Sequence, residues 1–134
     1  MRLQETIMFP KYSKYRLTEY LGTEEVQCHC EHKDCKTQVI SAQTVESFRQ
    51  LRNAYSKPII VTSGFRCQRH NYMEGGTNDS RHKLGGALDL FVETREDLRQ
   101  LKKMATLYFD IVIGYPTFIH CHNEGQECNE FGEN

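Results

Sequence analysis

Residues 80–90 have the sequence SRHKLGGALDL, in which Asp89 stands among apolar residues. Alternation along a strand over residues 87–92 puts Asp89 on one face and three aliphatic side chains on the other. The glycine pair before this strand lets a loop turn back, so that His82 at the loop's end meets Asp89. A buried carboxylate without a partner costs several kcal/mol. Asp89 therefore needs a cation, either a divalent metal or one of three nearby arginines: Arg66, Arg69 or Arg81.

The patterns on both sides of this stretch predict an α+β fold. Helical spacing of apolar residues with Ser41 as N-cap predicts a helix that ends at Tyr55, and Thr94 caps a second helix with an acidic first turn. The other predicted elements are strands over 58–65, 87–92, 110–115 and 117–122, a long polar loop over 66–86 and a short helix near 17–22. This order predicts a small antiparallel sheet with helices packed on one face.

Composition excludes several classes of protein. The 134 residues predict a single domain over 1–134, with an acidic, flexible tail over 123–134. Seventeen basic and eighteen acidic side chains give no positive field, which argues against a nucleic-acid partner. No apolar run approaches the roughly 20 residues of a membrane span, and the N-terminus lacks a signal-peptide pattern. We therefore expect a monomer that is synthesised in the cytosol and does not insert into membranes.

Two further histidines stand on a late strand, in the sequence FIHCH at residues 118–122. A histidine between apolar residues is by default a core residue, but His120 and His122 are two positions apart and share one strand face. Two histidines and one carboxylate, with a fourth position left to water, form the ligand set of a hydrolytic zinc site. Such a zinc lowers the pKa of the water toward about 7 and polarises the carbonyl to be cleaved. The sequence thus offers either histidine as third ligand beside His82 and Asp89.

Three segments resemble the sequence blocks of the M15 zinc peptidases. They are SGFRCQRHN at 63–71, EGGTNDSRHKLGGALDL at 74–90 and YPTFIHCH at 115–122. The family pattern has an arginine after Ser-Gly, then Ser-x-His-x6-Asp, then an aliphatic residue and a histidine on a late strand. With the intervening helices the resemblance covers about residues 38–122. It implies a hedgehog/D-Ala-D-Ala-peptidase-like fold, since the hedgehog signalling domain shares this zinc site.

The resemblance also implies roles for single residues. One catalytic zinc ion would have three protein ligands: His82, Asp89 and His120. Arg66 would bind the substrate carboxylate or the developing oxyanion, which suits a fixed guanidinium fork. Ser80 would contact substrate or shape its loop. The residues themselves leave two plainer alternatives open, a salt bridge from Arg66 to Asp89 or Glu74 and a turn role for Ser80.

Members of this family are D-Ala-D-Ala carboxypeptidases and L-Ala-D-Glu endopeptidases that cleave peptidoglycan stem peptides, and many are phage endolysins. By resemblance this chain is a zinc metallopeptidase whose partner is a peptidoglycan stem peptide. It would reach the cell wall by release during phage lysis or by another export route. The hedgehog domain shows that this fold and metal do not require peptidase activity. The alternatives are a non-catalytic zinc-containing binding or signalling module and a metal-free cluster of salt bridges.

The sequence departs from the family at the general base. Many members carry Asp or Glu three residues before the last histidine ligand, where this chain has Thr117. Others have Asp two residues after that histidine, where this chain has His122. A histidine can take a proton from water and pass it to the leaving amine, because its ordinary pKa lies near neutrality. His122 is therefore the predicted base, with His120, Glu124 and Glu127 as alternatives.

Four cysteines form a second group of candidate ligands: Cys28, Cys30, Cys35 and Cys67. Without a signal peptide, metal binding is favoured over disulfides. The resemblance implies a second, structural zinc or a disulfide here, which would tie the N-terminal loop to the loop of Arg66; free thiols are the third reading. His29 or His32 could replace one sulfur. Cys121 points away from the two strand histidines and is predicted to pack in the core.

Overall fold

The computed structural model describes residues 4–76 and 80–124. In chain order its elements are β1 (Thr6–Pro10), β2 (Arg16–Thr18), β3 (Leu21–Gly22), α1 (Thr23–Val26), β4 (Thr37–Ser41), α2 (Ala42–Tyr55), β5 (Val61–Ser63), α3 (Gln68–Met73), a 3₁₀ helix (Arg81–Leu84), β6 (Ala87–Phe91), α4 (Arg95–Ala105), β7 (Ile111–Gly114) and β8 (Phe118–His122). Four strands form an antiparallel sheet in the order β5-β6-β8-β7, and β1-β4 and β2-β3 form separate antiparallel pairs. The predicted α+β class is confirmed.

One face of the four-stranded sheet forms the core. Its central strands contribute four fully buried side chains: Leu88, Leu90, Ile119 and Cys121. Helices α2 and α4 complete the same cluster with Phe48, Leu51, Leu101 and Ala105. Cys121 therefore packs in the core, as predicted. Because alternate residues of a strand project to opposite faces, the other face of β6 and β8 is left for polar side chains.

The two predicted helix caps are confirmed. Ser41 Oγ accepts a hydrogen bond from Thr44 N at 2.9 Å, and Thr94 Oγ1 accepts one from Asp97 N at 3.0 Å. Each bond satisfies a backbone donor that has no partner within its helix. Helix α2 ends at Tyr55, as the spacing predicts.

The helix predicted near residues 17–22 is wrong. This segment forms β2 and β3, which pair with each other. Thr18 Oγ1 accepts a hydrogen bond from Tyr20 N at 3.1 Å, a local bond that favours a turn over a helix. The short helix α1 begins only after this hairpin, with Gly22 as its N-cap.

Two other predicted segments differ in extent. The strand predicted over 58–65 is reduced to β5, which lies at the edge of the sheet and shifts register against β6. The loop predicted over 66–86 contains α3 and the 3₁₀ helix. Both short elements hold loop residues near the polar face of the sheet, so the described parts of this segment, 66–76 and 80–86, are more ordered than their composition indicates.

The described chain ends in a packed segment. Asn123 is buried; its Oδ1 accepts a hydrogen bond from Asp110 N at 2.9 Å, and its Nδ2 donates to Ser47 Oγ at 3.0 Å. The rest of the predicted tail, 125–134, lies outside the described residues. Among the helices that the structure describes, none has the length and apolar character to cross a membrane.

Candidate metal centre

Strands β6 and β8 bring three of the predicted site residues to one face of the sheet. Asp89 lies directly opposite His120, and Ala87 lies opposite His122. Residues opposite each other on antiparallel strands project to the same face, so both histidines share the face of Asp89. His120 Nδ1 lies 3.1 Å from Asp89 Oδ1. The prediction that Asp89 and the two histidines share one face of the sheet is therefore confirmed.

The 3₁₀ helix brings His82 to the same place. Its N-cap is Ser80, whose Oγ accepts a hydrogen bond from His82 N at 3.3 Å. The helix ends at Gly85 with φ of +73°, and a Cβ there would lie 2.5 Å from Ile40 Cα in β4. Both the left-handed backbone and this close approach require glycine. The chain can thus turn directly into β6, with His82 only 2% exposed beside Asp89.

The hydrogen bonds of His82 fix which ring nitrogen carries its proton. His82 Nδ1 lies 2.7 Å from the backbone carbonyl oxygen of Gly64. A carbonyl oxygen only accepts hydrogen bonds, so Nδ1 must be the donor. In the neutral ring Nε2 then carries no proton and exposes a lone pair, and this nitrogen lies 3.2 Å from Asp89 Oδ1. A lone pair and a carboxylate oxygen repel at this distance unless a proton or a metal cation lies between them.

Glycine at position 64 is itself required by the packing. A Cβ at Gly64 would lie 2.7 Å from the backbone of Val26 in α1. The carbonyl that orients His82 therefore belongs to a segment pressed against another element. Gly64 was not predicted as part of the site, although it stands two residues before Arg66 in the first block of the resemblance.

The spacing of the three side chains suits a small cation. His82, Asp89 and His120 each offer one ligand atom, and these atoms all lie within 4.8 Å of one another. Four ligands at about 2.0–2.2 Å from a tetrahedral zinc are separated by about 3.3–3.6 Å. The observed nitrogen-to-oxygen distances of 3.2 and 3.1 Å are close to that separation. The residues present fit a zinc ion.

Asp89 is held in its ionised form. Burial alone would raise its pKa, but the close contacts with His120 and His82 lower the pKa of this carboxyl below its usual range. Its side chain is only 8% exposed. The carboxylate is thus charged at any pH near neutrality and available as a ligand.

Arg66 contacts the same carboxylate from the other side. Its Nη2 donates to Asp89 Oδ2 at 3.0 Å, and its Nε donates to Ser63 Oγ at 3.0 Å. The two oxygens of Asp89 therefore have different partners, with Oδ1 facing the histidines and Oδ2 facing the guanidinium. The salt bridge that the sequence left open is present, and it forms with Asp89 rather than with Glu74. Ser63 is a further contact that the sequence analysis did not single out.

His122 is the neighbour of His120 on the polar face. His122 Nδ1 lies 2.8 Å from His120 Nε2. Burial, and next the charge of His120, lower the pKa of His122 to about 4. At neutral pH the ring is therefore uncharged, so it can share one proton with His120.

These residues line an open cleft with a volume of about 350 Å³. Its floor is the candidate metal centre, and Ser80 and Arg81 lie on its wall. Tyr115 and Phe118 form a second wall, where their rings stack with centroids 4.6 Å apart. The aromatic pair was not predicted as part of the site, although both residues stand in the third block of the resemblance. The cleft offers an apolar surface beside a charged floor.

Among the residues that the structure describes, few carboxylates besides Asp89 lie around this cleft. Among the described lining residues the second carboxylate is Glu74, whose side chain is 53% exposed. Thr117 is exposed, and its carbonyl accepts a hydrogen bond from Val92 N at 3.0 Å. Glu124 is also exposed, with its backbone N bonded to Asp110 Oδ2, and Glu127 lies outside the described residues.

The sulfurs of Cys28, Cys30, Cys35 and Cys67 form a second group of potential ligands, again within 4.8 Å of one another. The described cysteines are all free thiols, so the structure has no disulfide among them. His29 and His32 are not members of this group. His29 Nε2 instead lies 3.0 Å from the carbonyl of Thr62.

Comparison with known proteins agrees with this geometry. No curated protein matches the chain. The family model described as Peptidase M15 matches residues 19–122, which is most of the chain and includes every residue of the candidate metal centre. The chain therefore belongs to the peptidase M15 family.

Proposed function

We propose that this chain is a zinc-dependent peptidase that hydrolyses peptidoglycan stem peptides. The observation that carries the proposal is the hydrogen bond from His82 Nδ1 to the Gly64 carbonyl, because it turns the lone pair of Nε2 toward Asp89. Membership of the M15 family supports peptide-bond hydrolysis, and the two-histidine, one-carboxylate donor set supports zinc.

In this proposal the zinc ligands are His82 Nε2, Asp89 Oδ1 and His120 Nδ1. When bound, zinc would supply Lewis-acid activation of the attacking water and of the scissile carbonyl. The protein holds the ligands in place through contacts on their far sides. Gly64 orients His82, Arg66 fixes Asp89 and His122 meets the outer nitrogen of His120. Such outer contacts set ring orientation and ligand basicity.

Arg66 is the proposed substrate-binding residue. Its side chain is 14% exposed and lines the cleft beside Asp89. The bonds to Asp89 and Ser63 use Nη2 and Nε, so Nη1 remains as a donor for a substrate carboxylate or carbonyl oxygen. A guanidinium that is already held rigid loses little freedom when it binds an anion. Ser80, which also lines the cleft, would add a hydroxyl contact.

His122 is the proposed acid–base residue. With His120 Nδ1 turned to the metal, His120 Nε2 carries a proton and donates a hydrogen bond to His122 Nδ1. The proton of neutral His122 is then on Nε2, which faces the cleft. The ring must first gain a proton from the attacking water, and it can then pass a proton from this face to the leaving amine. To take a proton from the attacking water, the His122 ring must turn a lone pair away from His120. Glu74 is the alternative base, since it is the other carboxylate on the described part of the cleft.

The test is digestion of purified peptidoglycan followed by mass spectrometry of the released ends. The zinc-loaded chain should release new amino or carboxyl termini at one stem-peptide bond, and a chelator should stop the release. Asp89→Asn should be inactive, whereas Glu96→Gln, which changes an exposed carboxylate, should match wild type. The experiment also identifies which bond is cut. We propose that the chain acts there as a monomer, after release or export to the wall.

The residue at position 117 favours a second, non-catalytic function. Thr117 stands where many family members have a carboxylate base, which favours a zinc-containing module that binds without hydrolysis. That alternative predicts stoichiometric zinc and binding to peptidoglycan with no new termini. Release of termini that depends on zinc and on Asp89 would exclude it.

A further inference from the structure

Four sulfur atoms meet outside the cleft, between the loop over residues 28–35 and the start of α3. Cys67 Sγ lies 3.7 Å from Cys28 Sγ and also 3.7 Å from Cys30 Sγ. With Cys35, the four sulfurs all lie within 4.8 Å of one another. Cys28 is fully buried and the other three are partly exposed. Residues far apart in sequence thus converge on one small volume.

The distances match a metal site better than a disulfide. A disulfide joins two sulfurs at about 2.05 Å and would select one partner for Cys67. Four thiolates at about 2.3 Å from a tetrahedral zinc are separated by about 3.8 Å. Cys67 Sγ instead lies at the same distance from the sulfurs of Cys28 and Cys30, and this distance is close to the tetrahedral separation. The arrangement is that of a ligand cage around a central point.

Each sulfur also accepts a hydrogen bond from nitrogen. Backbone amides serve two of them, Cys67 N to Cys28 Sγ and His70 N to Cys67 Sγ, both at 3.4 Å. Side chains serve the others, with Gln38 Nε2 at 3.4 Å from Cys35 Sγ and Lys11 Nζ at 3.5 Å from Cys30 Sγ. Neutral thiols are weak acceptors, whereas metal-bound thiolates are regularly oriented by such outer donors. A lysine beside the cluster further offsets the negative charge of four thiolates.

We propose that Cys28, Cys30, Cys35 and Cys67 bind a second, structural zinc ion. All four positions are filled by protein ligands, so this ion has no open position for substrate. The site is separate from the histidine centre and does not depend on the proposed peptidase activity. Its role is to join the N-terminal cysteine loop to the segment that follows β5.

This second ion would also position Arg66. Cys67 follows Arg66 directly and is the N-cap of α3, where its sulfur accepts the bond from His70 N. Arg66 N donates to His82 O at 3.0 Å, so the same backbone touches the 3₁₀ helix. Zinc at the cysteines therefore fixes one end of the segment that carries the arginine. Arg66 is positioned by this ion, which itself has no contact with the reacting atoms.

The test measures metal content in the full-length chain, purified under reducing conditions. His120→Ala removes a ligand of the first centre, and Cys30→Ser with Cys35→Ser removes two partly exposed ligands of the second. Wild type should hold two zinc ions, and His120→Ala should keep one of them. Replacement of that ion by cobalt should give the near-ultraviolet charge-transfer absorption of cobalt thiolates. The matched control Cys128→Ser, outside the described residues, should retain the absorption.

Several results would overturn the proposal. One is a His120→Ala chain without zinc, or with cobalt that gives no thiolate absorption. Another is thiolate absorption that survives in the double cysteine variant. If that variant does not fold, thiol titration of native wild type decides the matter. The proposal requires four of the six thiols to stay protected until a chelator has removed zinc, whereas six thiols that all react at once would refute it. None of these readouts uses peptidase activity.

Discussion

Replacement of Asp89 by asparagine tests the centre of the site, because the change keeps the side-chain volume and removes only the charge. Asp89 is 5% exposed and meets Arg66, His82 and His120. Removal of one partner from a buried ion pair costs about 3–5 kcal/mol, since the other charge is left without compensation. For a chain of this size about 1 kcal/mol changes Tm by about 3–4 °C. We therefore expect Tm of the chelated protein to fall by about 10–20 °C.

The same substitution should have a larger effect when zinc is present. A ligand that binds only the folded state adds about 4 kcal/mol at a free concentration of a thousand times its Kd. Wild type would gain this stability from zinc at the histidine centre, and Asp89→Asn would not. The gap in Tm between the two proteins should therefore be wider with zinc than with chelator. Thermal unfolding by circular dichroism, combined with zinc analysis of the same samples, measures both terms.

The control is Glu96→Gln, which removes an exposed carboxylate that also pairs with an arginine, Arg99. Exposed pairs contribute about 0–1 kcal/mol, so Tm should change by less than about 4 °C. If Asp89→Asn loses stability but binds zinc at the histidine centre as wild type does, Asp89 is an ion-pair partner alone. If neither stability nor zinc content changes, the reasoning about the buried carboxylate is refuted.

Four other expectations can be checked with the same proteins. Arg66→Lys should keep zinc but lower kcat/KM by about 10²- to 10³-fold, since the lysine ammonium cannot reproduce the bidentate hydrogen bonds of the guanidinium. Unchanged turnover would mean that Arg66 has only a structural role. His122→Ala should keep zinc and lower kcat by about 10²- to 10⁴-fold, and loss of zinc would exchange its role with that of His120. In the chelated protein the pKa of Asp89 lies below its usual range, because its contacts with His120 and His82 outweigh the effect of burial. Its stabilisation is therefore complete above an unfolded-state pKa of about 3.9, so the Tm gap to Asp89→Asn should persist to about pH 4 and shrink only below it. Gly85→Ala should cost more than about 1 kcal/mol in chemical denaturation, and a smaller cost would show that the turn relaxes.

The sequence predicted the parts of the fold that depend on local rules. The caps at Ser41 and Thr94 need only a side-chain oxygen and the next few amides, so they can be read from adjacent residues. The shared face of Asp89 and His120 follows from strand alternation and one correct antiparallel pairing. Their convergence with His82 needs only the turn at Gly85.

The parts that were missed depend on partners distant in sequence. Strand β1 pairs with β4 across some thirty intervening residues, and the local sequence of neither strand indicates which strand is its partner. The hairpin of β2 and β3 is a local exception, in which Thr18 Oγ1 accepts a hydrogen bond from Tyr20 N and favours a turn where a helix was predicted. The Gly64 carbonyl carries no side-chain signal at all, yet it decides the proton position on His82.

The division of the Asp89 carboxylate between two partners limits which cations the centre can accept. Arg66 holds Oδ2, so only Oδ1 faces the histidines. Calcium prefers six to eight oxygen ligands and often takes both oxygens of a carboxylate, and magnesium retains several waters in an octahedron of oxygens. One oxygen with two imidazole nitrogens instead suits borderline transition ions. At the proposed zinc site, Arg66 would therefore disfavour the abundant alkaline-earth ions, because it occupies the second carboxylate oxygen that they would need.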